Sequence, residues 1–182
     1  MIKKAWQIII LVIIMTGLAL VQNSFISALA SPFRQFNLLL SSLVFILFFL
    51  DFRLALASAL IAGFFLDLVS FNFFGFYLLI FFLTIVVAQW VLKNWLTNRS
   101  FYTLLALMIL AAIFYNILAA LALYLAGSGG GLFLWRMSFW LTLGYQSFWS
   151  GVFALVMFNL AAALSKRIKP FFLEGKSLYD DF

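Results

Sequence analysis

Among the side chains of this 182-residue chain, Asp67 has the strongest claim to chemistry. It is the only acidic residue well inside a long apolar run, and it ends a stripe of small residues, Ala55, Ala59 and Gly63, at intervals of four. Residues four apart share one face of a helix, and small side chains on that face let another backbone approach closely. Asp67 lies thirteen residues beyond Leu54, about 20 Å into an apolar layer about 30 Å thick. A carboxylate near the bilayer midplane costs about 2.5–3.5 kcal/mol on insertion scales, so such a group usually faces a bundle interior or a partner. Two cations fall on the same side of the sequence's spans and are the expected charge partners, Arg34 and Arg136. Three roles follow for Asp67: an anchor for helix packing, a contact for a partner or ligand, or an interfacial carboxyl with no specific task.

The remaining embedded polar residues are amides and hydroxyls. Asn116 shares a stripe with Ala112 and Ala120, and Gln146, Ser147, Ser150 and Gly151 make the last apolar run the most polar one. Groups of this kind join helices by hydrogen bonds worth about 0.6–2 kcal/mol each, and helix packing is the expected use. Gln22 and Asn23, near the end of the first run, are expected to mark its outer interface. The run Gly127-Ser128-Gly129-Gly130-Gly131 lacks the Gly-Lys-Ser/Thr that completes a phosphate loop and follows no strand. It is expected to be a flexible outer loop.

Absences bound the function further. The chain has no His and no Cys, which removes imidazole acid–base work, thiol nucleophiles and the usual zinc and haem ligands. Asp67 has no second embedded carboxylate to work with, whereas catalysis needs positioned acids, bases, nucleophiles or a metal. A proton relay likewise needs several intramembrane ionisable groups. The sequence therefore points away from an enzyme and implies no cofactor.

The elements that carry these residues follow from composition. Hydrophobic residues make up 68% of the chain and charged residues 9%, against about 45–50% and about 25% in soluble domains. Six apolar runs have the length of membrane spans or approach it: 6–29, 36–50, 54–70, 76–92, 101–126 and 139–164. Short breaks between them require antiparallel neighbours. The second and third runs are brief, which calls for shelter inside the bundle or a locally thin bilayer. The expected organisation is one six-helix transmembrane domain over 1–165 and a cytoplasmic tail over 166–182. Pro170 stops the last helix, and Lys166, Arg167 and Lys169 rest on anionic lipid.

The net charge of +6 sets orientation rather than recruiting nucleic acid. With six spans, Lys3, Lys4, Arg53, Lys93, Arg99, Lys166, Arg167, Lys169 and Lys176 share one side, while Arg34 and Arg136 share the other. That bias places both termini in the cytoplasm. Trp6, Trp90, Trp95, Trp135 and Trp140 fall near span ends, where indoles favour the interface. A competing reading takes the start as a signal peptide cut after Ala28-Leu29-Ala30, leaving five spans. It spoils the charge balance, and a measured intact mass beginning at Met1 would close the question.

The order of these features resembles the MreD family of bacterial rod-shape-determining proteins. The resemblance rests on Val21-Gln22-Asn23-Ser24-Phe25 closing the first run, then Ser31-Pro32-Phe33. It continues with Gly63-Phe64-Phe65-Leu66-Asp67-Leu68-Val69-Ser70, followed by Phe74-Gly75-Phe76 opening the fourth run. It covers about residues 1–120; beyond that only hydropathy matches. Phe73 stands where Pro is common in that family, and the Gly-rich loop is not a family feature. The resemblance implies a non-enzymatic component of the cell-elongation complex in the bacterial inner membrane. It implies binding of the bitopic MreC and a link from MreB filaments to wall synthesis by RodA and its transpeptidase. Gln22, Gly63, Asp67 and Gly75 are the positions matching the family pattern. The fold implied is an all-α bundle of six transmembrane helices resembling the S component of energy-coupling-factor transporters.

Those S components are the alternative assignment, since they are similar in size, span count and orientation. Their first helix typically docks through Ala-x-x-x-Ala packing, whereas here Ile8 to Met15 is bulky. A vitamin pocket also needs convergent polar groups, and few are expected from the outer loops. The favoured mechanism is adhesion, with Ala55, Ala59 and Gly63 lining a lipid-embedded groove for another helix.

Overall fold

A computed structural model describes residues 2–30, 33–70, 73–95, 100–125 and 137–167, with the side chains of 2–10, 137–138 and 161–167 outside that description. The described chain is helical, with six α-helices in the order expected. They are α1 (Ile2–Val21), α2 (Leu38–Phe49), α3 (Phe52–Val69), α4 (Phe76–Asn94), α5 (Phe101–Leu125) and α6 (Met137–Arg167). Four stretches are long and apolar enough to cross a membrane: Phe52–Val69, Phe76–Asn94, Phe101–Leu125 and Phe139–Leu160. The outer loop with Arg136 and Trp135, Pro32, Arg99 and the tail from Ile168 lie outside the described residues. So do the side chains of Lys3, Lys4, Trp6, Lys166 and Arg167.

The short helix is the most enclosed. With 12 residues, α2 spans about 18 Å, well under an apolar layer of about 30 Å. Leu39, Leu40, Leu43, Val44, Leu47 and Phe48 are all buried, as are Ser41 and Ser42. A helix apolar all round belongs in the middle of a bundle, and α2 packs against α1, α3, α4, α5 and α6. Its neighbours show their outward faces instead: Leu79 and Trp90 on α4, Tyr102 and Leu121 on α5, Trp140 and Phe148 on α6 are exposed.

The first apolar run departs from expectation. The α-helix stops at Val21, and Gln22–Ile26 forms one π-helical turn. A π turn is a wider loop of backbone that often marks a committed side chain. The commitment here is Gln22, described below. A short 3-10 turn, Phe33–Gln35, then leads into α2. It is held against α6 by the Phe33 and Trp149 rings, whose centroids are 4.6 Å apart.

Candidate functional site

The α3–α4 hairpin is built around two residues of one helix face. An added Cβ at Gly63 would lie 2.4 Å from Leu78 Cα and 2.8 Å from its nitrogen. These are backbone atoms, so glycine is required for α3 and α4 to lie this close. One turn later the Asp67 carboxylate, 4% exposed, meets the start of α4. It accepts hydrogen bonds from the backbone N–H groups of Gly75 (3.1 Å), Tyr77 (2.8 Å) and Leu78 (3.1 Å). The first N–H groups of a helix have no partner within it, and a carboxylate there also meets the positive end of the helix dipole. Gly75 makes the turn possible with φ +94°, a backbone conformation that glycine adopts without steric cost.

Asp67 is thus a cap supplied from a neighbouring helix. The expected partnership with Arg34 or Arg136 is not what the chain builds: among the described residues its partners are three N–H groups and no cation, and Arg136 lies outside them. The reason is proximity. The short turn delivers a row of orphan donors to the carboxylate, and these need an acceptor wherever water is scarce.

The small-residue stripe is also consumed within the molecule. Ala55 and Ala59 are 0% exposed, Gly63 is buried, and α3 packs against α1, α2 and α4. The groove expected to receive another helix is therefore filled by the chain itself. Close packing was the right physics for these residues, but the occupant is intramolecular.

Gln22 does for α2 what Asp67 does for α4. Its Oε1 accepts from the Leu38 N–H at 2.7 Å, and its Nε2 donates to the Phe36 carbonyl at 3.1 Å. Asn37 completes the cap by accepting from the Leu40 N–H at 3.0 Å. Gln22 is therefore not merely an interface marker. Its partners lie fourteen and sixteen residues away, so no local pattern announces them. Asn37, three residues before Leu40, carried the ordinary N-cap signature and was open to recognition.

Asn116, Gln146 and Ser150 join helices as expected, while no bond to another helix involves Ser147 among the described residues. The Asn116 amide donates to Gln146 Oε1 and to the Ala112 carbonyl, each at 2.7 Å. Ser41 and Ser150 hydroxyls are 3.1 Å apart across α2 and α6. Gly151 admits the Leu105 side chain of α5, 3.6 Å from where a Cβ would stand.

Two depressions stand out among the described residues. The larger, about 440 Å³, is an open apolar groove along α6 lined by Trp140, Leu141, Gly144, Tyr145, Phe148 and Trp149. The smaller, about 270 Å³, lies where α1 ends, α2 and α4 begin and α3 ends. It is lined by Gln22, Asn23, Ser27, Arg34, Asn37, Leu66, Ser70, Tyr77 and Tyr115. Only Leu66 in that set lacks a polar side-chain atom. Convergent polar groups, expected to be few, are thus gathered from five segments of the chain.

Fold and site together define an all-helical protein with four helices fit to cross a membrane and a polar cavity at one end. No family model, curated protein or solved structure matches the chain.

Proposed function

We propose that the chain is a non-enzymatic scaffold of the bacterial cell-elongation machinery, binding MreC and helping link MreB filaments to peptidoglycan synthesis by RodA and its transpeptidase. In this reading it crosses the inner membrane six times with both termini in the cytoplasm, in agreement with the bias of Lys and Arg to one side. The brevity of α2 is compatible with six crossings because its neighbours shelter it.

One observation carries the adhesive, non-catalytic part of the proposal. The embedded polar groups Asp67, Gln22, Asn116 and Gln146 are all engaged in holding the chain's own helices together. Asp67, the one embedded acid, has its carboxylate occupied by three backbone donors. The assignment to cell elongation draws on the resemblance at Gln22, Gly63, Asp67 and Gly75. These four residues make the α1–α2 and α3–α4 joints, which gives their pattern a structural reason.

With the Ala55–Gly63 face filled, we place the MreC helix in the apolar groove on α6. Gly144 opens it, with nothing within 4 Å of an added Cβ, and Trp140 and Phe148 flank it in exposed positions. Close backbone approach and ring contact are the means by which helices associate in lipid. Co-purification with MreC tests this. Wild type should capture MreC, and Gly144→Leu should capture much less while eluting as the same folded species. Failure of the wild type to capture MreC removes the scaffold, and equal capture by Gly144→Leu removes the groove.

The polar cavity favours a second reading, a substrate-binding S component of an energy-coupling-factor transporter. Neighbouring genes separate the two. MreB and MreC beside this gene support the scaffold, and an ATPase pair with a transmembrane coupling protein supports the transporter.

A further inference from the structure

We infer that the cavity bounded by Arg34, Ser70, Tyr77 and Tyr115 is a binding site for a compact anion, a phosphate-bearing group free in solution or carried on a lipid headgroup. The inference stands apart from the scaffold proposal and requires no MreC.

The first argument is charge. Arg34 is exposed in the turn before α2 and makes no ion pair or hydrogen bond among the described residues, where it is also the one cation at this end of the bundle. Among the described residues no acidic side chain lines the cavity. Asp67, on the adjoining stretch of α3, is occupied by the α4 N-terminus and leaves Arg34 unneutralised. An arginine presents a planar fork of donors suited to phosphate and carboxylate oxygens.

The second argument is an unused hydroxyl. The Ser70 Oγ is buried and has no hydrogen-bond partner among the described residues. A buried polar atom without a partner costs about 1–3 kcal/mol, so its persistence beside a cavity calls for an acceptor or donor that enters from outside. The Tyr77 and Tyr115 side chains line the same cavity.

The third argument is rigidity and size. Gln22 and Asn37 are fixed by their caps on α2, and Tyr115 is stacked on Phe81 with centroids 5.4 Å apart. Side chains locked in place bind with little further ordering cost. A volume of about 270 Å³ falls below the roughly 300–1,000 Å³ of pockets for drug-sized ligands. It suits a phosphate with a few attached atoms rather than a whole cofactor.

The test uses full-length protein in a neutral maltoside detergent, with the thermal midpoint followed by intrinsic fluorescence. The probes are inorganic phosphate and dihexanoyl phosphatidylglycerol; sodium chloride at matched ionic strength and dihexanoyl phosphatidylcholine are controls. A saturable rise with an anionic probe beyond its control is expected. Arg34→Gln, at an exposed turn, should weaken apparent affinity about tenfold, and Ser70→Leu, which fills the cavity, should abolish the rise. A rise with phosphate identifies a free anion, and a rise with phosphatidylglycerol alone identifies a headgroup. No saturable rise with either probe, or unchanged affinity in Arg34→Gln, overturns the site. If both variants unfold, equilibrium dialysis of wild type decides: one probe bound per chain upholds the site, and none overturns it.

Discussion

The α3–α4 hairpin and the polar cavity beside it lie at the same end of the bundle and share α3, yet they use polar atoms in opposite ways. In the hairpin the Asp67 carboxylate is taken up by three backbone donors of the chain, and Gly63 admits no added atom. In the cavity, three residues beyond Asp67, the Ser70 hydroxyl and the Arg34 guanidinium have no partner among the described residues. A satisfied polar cluster fixes a fold, whereas an unsatisfied one is open to something else. The same few residues of α3 therefore serve both stability and recognition, on faces a small rotation apart.

Substitutions can break this contrast in graded steps. The largest effect is expected from Gly63→Val, whose side chain must displace the Leu78 backbone at 2.4 Å. Overpacking commonly costs about 1–3 kcal/mol and more where backbone must move, so Gly63→Val should lose most folded monomer in a heating assay read by size exclusion. Asp67→Leu should come next, at about 2–5 kcal/mol, because three N–H groups lose their acceptor in an apolar setting. Asp67→Asn keeps one acceptor oxygen and should lose about half as much; equal thermal midpoints for the two variants contradict the cap.

Gln22→Leu removes the pair of bonds that start α2 and should cost about 1–2 kcal/mol in denaturant-dependent unfolding. Asn116→Leu and Gln146→Leu should each cost about 0.6–2 kcal/mol. The double substitution should cost little more than either alone, since both delete one shared bond. Ser70→Ala sharpens the contrast from the other side. It deletes a buried hydroxyl without a partner and should raise the unfolding free energy by up to about 1–3 kcal/mol, with no loss against wild type. A large loss there would mean that the cavity is part of the lock.

Much of the architecture was legible in the residues. Apolar runs between polar breaks gave six helices, and only at the first run did the structure shift a boundary by more than about a turn. Gln22 ended α1 early because its side chain is claimed by backbone atoms of the Phe36–Leu38 segment. The joining role of Asn116 and Gln146 was legible too, since an amide in an apolar helix has few alternatives to another helix. For Asp67 the sequence marked the residue and its helix face but misassigned the partner. A carboxylate suggests an arginine, yet backbone donors at a helix start satisfy it as well and are closer.

Sequence by itself determined that the chain is helical and apolar, with its small and polar residues placed at helical spacing. That follows because hydropathy and periodicity are local properties of a segment. Only the tertiary structure decided which neighbour each special residue meets. It turned the Ala55–Gly63 face inward, gave Asp67 to the start of α4, and gathered a cavity from residues spread between Gln22 and Tyr115. The physical reason is that one-dimensional pattern specifies which face is buried, while the order and tilt of packed helices specify against what.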